Sequence, residues 1–283
     1  MTTVSVVTGG AGAMGAACAL ALAETVDVVL LTDFDQDGLQ SIAERIGSES
    51  TATVHTLAGD LSEPEFVGEL AVRTQALGRL HALVHTAGLS PSMAPWEDIL
   101  RVDLVATARL LDVFLACAAP GSVAVCLASL AGHVGPFEPS MDALLDSPLA
   151  ADLEPRFHAL IGAEPDPGIT YRLAKRGVIR LCERAAVTWG ARGGRVVSVS
   201  PGLIDTAMGR LELQNNPVKQ WMAELTPVGG DRSEPDTLLP GLTGDVAGVV
   251  AFLCSVEASF VSGCDVRVDG GLTAAMNGQG EHR

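Results

Sequence analysis

Seven short and almost uninterrupted apolar runs recur along the chain, with stretches of helical period between them. The runs read as strands over 3–8 (TVSVVT), 27–32 (DVVLLT), 52–57 (ATVHTL), 80–86 (LHALVHT), 122–128 (SVAVCLA), 194–199 (GRVVSV) and 264–268 (CDVRV). The helical stretches fall near 13–24, 36–46, 63–77, 96–118, 170–190 and 243–255. A strand that is apolar throughout is buried on both faces, whereas a sheet with one wet face shows alternation. Helices between successive strands supply that double cover. The pattern predicts an α/β fold, doubly wound in three layers about a central parallel sheet, with ligands at the carboxyl edge of the strands.

Two segments break the rhythm. Residues 133–169 hold six Pro and fragments of helical pattern, and residues 203–241 form a second excursion bounded by PG and LLPG. Excursions this long in a compact chain usually serve as lids or binding loops. No repeat, low-complexity tract or linker divides the 283 residues, so 1–283 is read as a single domain. With 34 acidic against 18 basic side chains and a formal charge of −16, the chain has no basic face for nucleic acid. The six Cys form no CxxC pair and sit mostly in apolar stretches such as ACALALA, which reads as core thiols in a reducing compartment. MTT leads straight into a strand without a signal-peptide pattern, and no run of about 18 apolar residues occurs. A cytoplasmic protein without a membrane span and without a metal site is expected.

The first strand runs into Thr8-Gly9-Gly10-Ala11-Gly12-Ala13-Met14-Gly15 and then into the helical ACALALAE. A glycine-rich turn between a first strand and a helix lets the backbone approach a pyrophosphate at the positive helix N-terminus. This places a Rossmann-type dinucleotide site here. The second strand ends in Thr32-Asp33-Phe34-Asp35, where an acid can accept hydrogen bonds from the adenosine ribose. Asp33 would repel a 2′-phosphate, and no nearby Arg or Lys would receive one, so NAD is expected over NADP. Asp35 is the better candidate for capping the following helix. At the end of the third strand, Gly59-Asp60-Leu61 brings Asp60 within reach of an adenine amino group.

Tyr171 and Lys175 stand four residues apart on a helix, which sets phenol and ammonium on one face. A cation there favours the phenolate and draws the phenol toward physiological pH, the condition for trading protons with a hydroxyl or ketone. The spacing alone is common. Here, however, the chain's single Tyr precedes one of only two Lys. The fifth strand ends in Ala128-Ser129-Leu130-Ala131-Gly132, which puts the Ser129 hydroxyl at the carboxyl edge, where it can hold a substrate oxygen.

Together these motifs resemble the short-chain dehydrogenase/reductase family over nearly the whole chain. The family's TGxxxGxG turn matches Thr8 to Gly15, with Ala13 where the middle glycine is usual. Its NNAG appears as His85-Thr86-Ala87-Gly88, with the first two positions changed and the two small residues kept. Ser129, Tyr171 and Lys175 match the catalytic serine, tyrosine and lysine, and the catalytic asparagine falls on Asp103. Pro201-Gly202-Leu203-Ile204-Asp205-Thr206 matches the segment that binds the nicotinamide carboxamide, and VDGGL over 268–272 is also typical. The serine and tyrosine are 42 residues apart, far more than the family's usual interval, so about 133–169 reads as an insertion and about 203–241 as the substrate loop. That insertion, AGLSP and AAVTWGARGGR are similar to the bacterial 3α-hydroxysteroid dehydrogenase/carbonyl reductase branch.

The resemblance implies an NAD-dependent oxidoreductase interconverting a secondary alcohol and a ketone, with Ser129 on the substrate oxygen, Tyr171 as acid and base, and Lys175 on phenolate and ribose. The alternatives are a non-catalytic NAD(H) sensor and an isomerase or dehydratase on the same scaffold. Leu203, Met208, Leu211, Leu213, Trp221, Met222, Leu225, Leu238 and Leu239 are available either to wall a pocket for a steroid- or terpenoid-like substrate or simply to pack a lid. By resemblance the partners are a small-molecule alcohol or ketone and further copies of the chain, in a homodimer or homotetramer.

Overall fold

Residues 1–214, 216–229 and 239–280 are described in the structure, a computed structural model. The seven apolar runs form β1 (Thr3–Thr8), β2 (Val28–Asp33), β3 (Thr53–Ala58), β4 (Arg79–His85), β5 (Val123–Leu127), β6 (Arg195–Pro201) and β7 (Asp265–Val268). They make one parallel sheet in the order β3-β2-β1-β4-β5-β6-β7. The winding reverses between β1 and β4, and at that switch point a crevice opens outside the carboxyl ends of the strands.

The expected helices are present as α1 (Ala13–Ala23), α2 (Gln36–Glu49), α3 (Pro64–Leu77), α4 (Trp96–Ile99), α5 (Ala106–Phe114), α8 (Pro167–Gly190) and α11 (Thr243–Cys254). The two excursions add α6 (Pro139–Leu145), α7 (Leu153–Ile161), α9 (Ala207–Leu213) and α10 (Pro217–Leu225), and α12 (Leu272–Gly280) follows the last strand. Alternate strand residues serve opposite layers. Val7, Val29, Leu31 and Val84 pack with Cys18, Leu22, Val246 and Val250 of α1 and α11. Val4, Val6, Leu30 and Leu83 pack with Leu70, Phe114 and Val178 of α3, α5 and α8. Each such side chain stabilises the fold by about 1.5–3 kcal/mol, which is why runs apolar at both parities form central strands. The indole of Trp189, fully buried, donates to the Leu111 carbonyl at 3.1 Å and ties the end of α8 to α5.

The stretch 96–118 does not form the single helix expected. A π turn at Leu100–Val105 separates α4 from α5, and a 3-10 turn at Leu115–Cys117 ends it. The wider turn brings Leu100, Asp103 and Leu104 inward together. Asp103 is held there by the Leu89 amide, at 2.7 Å from its Oδ1.

The insertion folds back on α8. Asp142 on α6 and Asp146 at its C-cap, one turn apart, face Arg176, Arg180 and Arg184 at the same spacing on α8, in ion pairs of 2.7–3.2 Å. Asp166 caps α8 by accepting from the Ile169 amide at 2.9 Å, and Pro167 takes the first turn, where its missing N–H costs nothing. On α7, Phe157 stacks on Trp96 at 5.8 Å between ring centroids, with His158 at 4.9 Å on the same indole. Among the described residues, no helix is long and apolar enough to cross a membrane, and no cluster of side chains has metal-binding geometry.

Candidate functional site

At the mouth of the crevice, Gly9 leaves β1 at φ 68°, in the left-handed region that glycine adopts without strain. A side chain there would also lie 2.7 Å from the Ala87 nitrogen, so the turn and the strand-four motif are in direct contact. Gly15 lies against the carbonyl of Gly9. Ala13 and Met14 form the first turn of α1, whose N-terminus carries no side-chain cap, so its amides face the cleft. Ala13 is exposed. These features fit a pyrophosphate.

Asp33 ends β2 beside this turn, its carboxylate accepting from the amides of Ala11 and Asp35, each at 3.2 Å. Asp35 caps α2 as expected, accepting from Gly38 at 3.0 Å. Phe34 projects into solvent. Asp60 is exposed and turns on its own backbone through the Ser62 amide, while Leu61 is buried in the core. Thr86 donates to the Thr8 carbonyl at 2.7 Å, and Ala87 and Gly88 follow at the carboxyl end of β4.

Across the crevice, Ser129 caps the 3-10 turn Leu130–His133 by accepting from the Ala131 amide at 3.1 Å. Gly132 in that turn lies directly on the backbone of α8 at Lys175, where an added Cβ would sit 2.8 Å from the Lys175 carbonyl carbon. This close approach brings Ser129, Tyr171 and Lys175 together from elements separated by the whole insertion. The Lys175 ammonium stands 5.6 Å from the centre of the Tyr171 ring and donates to the Leu127 carbonyl at 3.3 Å. Asp103 Oδ2, which carries no aligned hydrogen bond, stands 3.2 Å from the same ammonium, and both side chains are buried.

The electrostatics differ from the expectation drawn from the Tyr–Lys spacing. Burial pushes the Tyr171 phenol up; Lys175 and the Ser129 hydroxyl pull it down, while Asp103 and Glu212 add to the rise, and the net direction is upward. Burial also works against the Lys175 cation, but the charges of Asp103 and Tyr171 outweigh it and hold the ammonium above its ordinary value. For Asp103, burial raises the carboxyl more than Lys175 and the Leu89 amide lower it.

His85 was visible in the sequence only as a departure from a motif, and it proves to be a buried connector. Its Nδ1 is 2.7 Å from Thr8 Oγ1, and its Nε2 is 2.9 Å from Thr107 Oγ1. Thr107 spends its only hydroxyl proton on the Asp103 carbonyl at 2.7 Å, so Nε2 carries the proton and Thr8 donates to Nδ1. Burial, aided by Lys175, pushes the imidazole down to about 3, which keeps it neutral. The chain from Thr8 through His85 and Thr107 to Asp103 thus fixes the glycine turn relative to the π turn.

Pro201 ends β6 and Gly202 follows it at the carboxyl edge of the sheet, and Ile204 is buried. The Thr206 hydroxyl caps α9, accepting from Gly209 at 3.0 Å. Of the apolar side chains of the substrate loop, Leu203, Met222 and Leu239 form a cluster with Leu130 and Leu272, and Leu213 and Leu225 pack against it. Met208 is half-buried outside that cluster, Leu211 and Trp221 are exposed, and Leu238 lies outside the described residues. Glu212 on α9 pairs with Lys219 on α10 at 2.8 Å, a charged pair that no local signal in the sequence marked.

The comparisons with known proteins agree with this arrangement. A family model described as short chain dehydrogenase matches residues 3–141, and one described as enoyl-(acyl carrier protein) reductase matches 157–273. A cis-4-hydroxycyclohexanecarboxylate dehydrogenase from Sinomonas cyclohexanicum is 31% identical, with 96% of each chain covered. A 3-alpha-hydroxysteroid dehydrogenase/carbonyl reductase from Comamonas testosteroni is 28% identical over 80% of this chain and 90% of that protein. A short-chain type dehydrogenase/reductase from Mycobacterium ulcerans superposes with a TM-score of 0.74 at 23% identity, covering 96% of this chain and 90% of that one. With its parallel sheet, glycine turn and carboxyl-edge cluster, the chain belongs to the short-chain dehydrogenase/reductase family, oxidoreductases that act on alcohols and ketones with a nicotinamide cofactor.

Proposed function

We propose that the protein is an NAD-dependent dehydrogenase/reductase of hydrophobic ring-borne secondary alcohols and their ketones, with Tyr171 as the acid and base. The observation that carries this reading is the convergence of Ser129, Tyr171 and Lys175 at the carboxyl edge, beside the Gly9–Gly15 turn. When bound, the nicotinamide supplies or accepts the hydride at the carbinol carbon. Ser129 donates to the substrate oxygen, and Tyr171 takes or returns the proton at that oxygen. Lys175 stabilises the phenolate and holds the nicotinamide ribose.

The amides at Gly9, Ala13, Met14 and Gly15 would hold the pyrophosphate, and Asp33 with Phe34 beside it the adenosine ribose. Asp60 and Leu61 border the adenine, and Thr86, Ala87 and Gly88 line the nucleotide. Pro201, Gly202, Ile204 and Thr206 border the carboxamide. NAD is favoured over NADP because Asp33 ends β2 beside the glycine turn, where it would meet the ribose, and the chain carries no Lys or Arg before Arg45. All six cysteines are free thiols, four of them buried, in keeping with a cytoplasmic setting.

An apolar substrate is favoured by the surroundings of Tyr171, which packs in one cluster with Leu89, Trp96 and, from the insertion, Phe137 and Phe157. The names of two relatives, a hydroxysteroid and a hydroxycyclohexanecarboxylate dehydrogenase, point to ring-borne alcohols as well. Turnover with NAD across a panel of steroid, terpenoid and linear polyol alcohols is the test. Bulky ring alcohols should give the highest kcat/KM; turnover confined to linear polyols, or none with any alcohol or ketone, would refute the reading.

We read the assembly as a homodimer through α11 and β7. Phe252, Val256 and Phe260 are exposed at that end of the molecule, and β7 is an edge strand. The α6 ion pairs cover one face of α8 and leave α11 and β7 as the uncovered edge. Light scattering should give twice the 29.2 kDa chain mass, and Phe260→Glu should shift it toward monomer. A tetramer unaffected by that substitution would overturn the assignment.

A further inference from the structure

We propose that Asp103 is a positioning residue that acts through Lys175 as the charge counterweight of the site, so that Tyr171 gives up its proton beside a neutralised lysine and turnover is set toward alkaline pH. The proposal rests on the acid–base role given to Tyr171 above. Its basis is geometric. Asp103 is fully buried on the π turn, its Oδ1 held by the Leu89 amide at 2.7 Å and its Oδ2 set 3.2 Å from Lys175 Nζ. Gly88 closes over the pair: an added Cβ would lie 3.1 Å from the ammonium and 3.2 Å from Oδ1. The π turn, the Leu89 amide and the His85–Thr107 chain therefore converge on presenting a carboxylate to this one ammonium.

The consequence follows from counting charge in a buried cluster. With Asp103 and Lys175 ionised, the cluster is neutral while Tyr171 keeps its proton, and loss of that proton leaves a net negative charge out of water. With a neutral residue at 103, the same loss takes the cluster from a single positive charge to neutrality. Removing a buried site from net negative charge is favourable, and an opposite charge close by lowers a neighbouring acid by about one to three pH units. The other groups acting on the cluster do not cancel this. Glu212 adds negative charge from α9, Ser129 contributes a hydrogen bond to the phenol, His85 is neutral, and Cys126 acts weakly on Lys175 from β5.

Because Tyr171 is the chain's only tyrosine, its ionisation can be read directly from the near-ultraviolet absorbance of the phenolate, without substrate or cofactor. In Asp103→Asn the midpoint should fall by about one to two pH units. The alkaline rise of kcat for alcohol oxidation should move down with it, while Asp103→Glu keeps the wild-type midpoint. Should Asp103→Asn fail to fold, Asp103→Ser carries the same expectation. A midpoint that is unchanged or higher in the neutral variants, including one accompanied only by a lower Tm, would overturn the proposal. The phenol titration needs no turnover, so a failure of the alcohol panel would count against the proposed function and leave this result standing.

Discussion

Tyr171→Phe should lower kcat by about 10²–10⁴-fold, the range in which a positioned acid or base contributes, while NADH binds at the wild-type level. The ring survives the substitution, so its packing with Leu89, Trp96 and Phe157 is kept and only the hydroxyl is lost. That hydroxyl is a group burial already disfavours in its charged form, so its removal leaves no uncompensated charge behind. Lys175 keeps its partners in Asp103 and the Leu127 carbonyl. Fluorescence titration with NADH and single-turnover kinetics separate binding from chemistry. Near-normal turnover in the variant would remove Tyr171 from the role. Since the phenol is raised in the folded chain, wild-type alcohol oxidation should quicken with rising pH until the phenolate form is fully populated, and Tyr171→Phe should lose that dependence.

The helix that carries this residue was legible in the sequence, and so was its neighbour one turn on. Lys175 lies four residues on, and that spacing is a property of any helix. The strands were legible for a similar reason: TVSVVT or VAVCL is apolar at both parities, and only a sheet covered on both faces satisfies that. What the spacing could not carry was the sign of the phenol's shift. Burial of Tyr171, Asp103 in a distant π turn and Glu212 in the substrate loop all act on it, and each arrives through tertiary contact. The π turn itself was hidden within an unbroken helical pattern over 96–118, because the Leu89 amide and Lys175 that hold Asp103 belong to other elements. Likewise α12 was missed, since its sequence LTAAMNGQG carries two glycines and little amphipathic pattern. The apolar loop residues were legible as apolar, yet their division between lid core and exposed surface depends on Leu130 and Leu272.

Cofactor choice should show the second large effect: the wild-type enzyme should prefer NAD to NADP by about 30- to 100-fold in kcat/KM, and Asp33→Ala should abolish most of that preference. At about 4 Å and an effective dielectric near 20, each unit of like charge costs about 4 kcal/mol before mobile ions take part. Screening at an exposed site reduces this to about 2–3 kcal/mol, which is the preference stated. Asp33 cannot swing aside to relieve the repulsion at no cost, because its carboxylate is tied to the amides of Ala11 and Asp35 in the turns after β1 and β2. Asp33→Ala removes both the repulsion and the acceptor for the ribose, so NAD efficiency should fall as NADP efficiency rises. Phe34, 82% exposed at the same strand tip, is free to become a cation without disturbing the core. Asp33→Ala combined with Phe34→Arg should therefore turn the preference toward NADP. Equal use of the two cofactors by the wild-type enzyme would show that Asp33 does not face the ribose. Unaltered NAD preference in the double variant would mean that a group other than Asp33 turns the 2′-phosphate away.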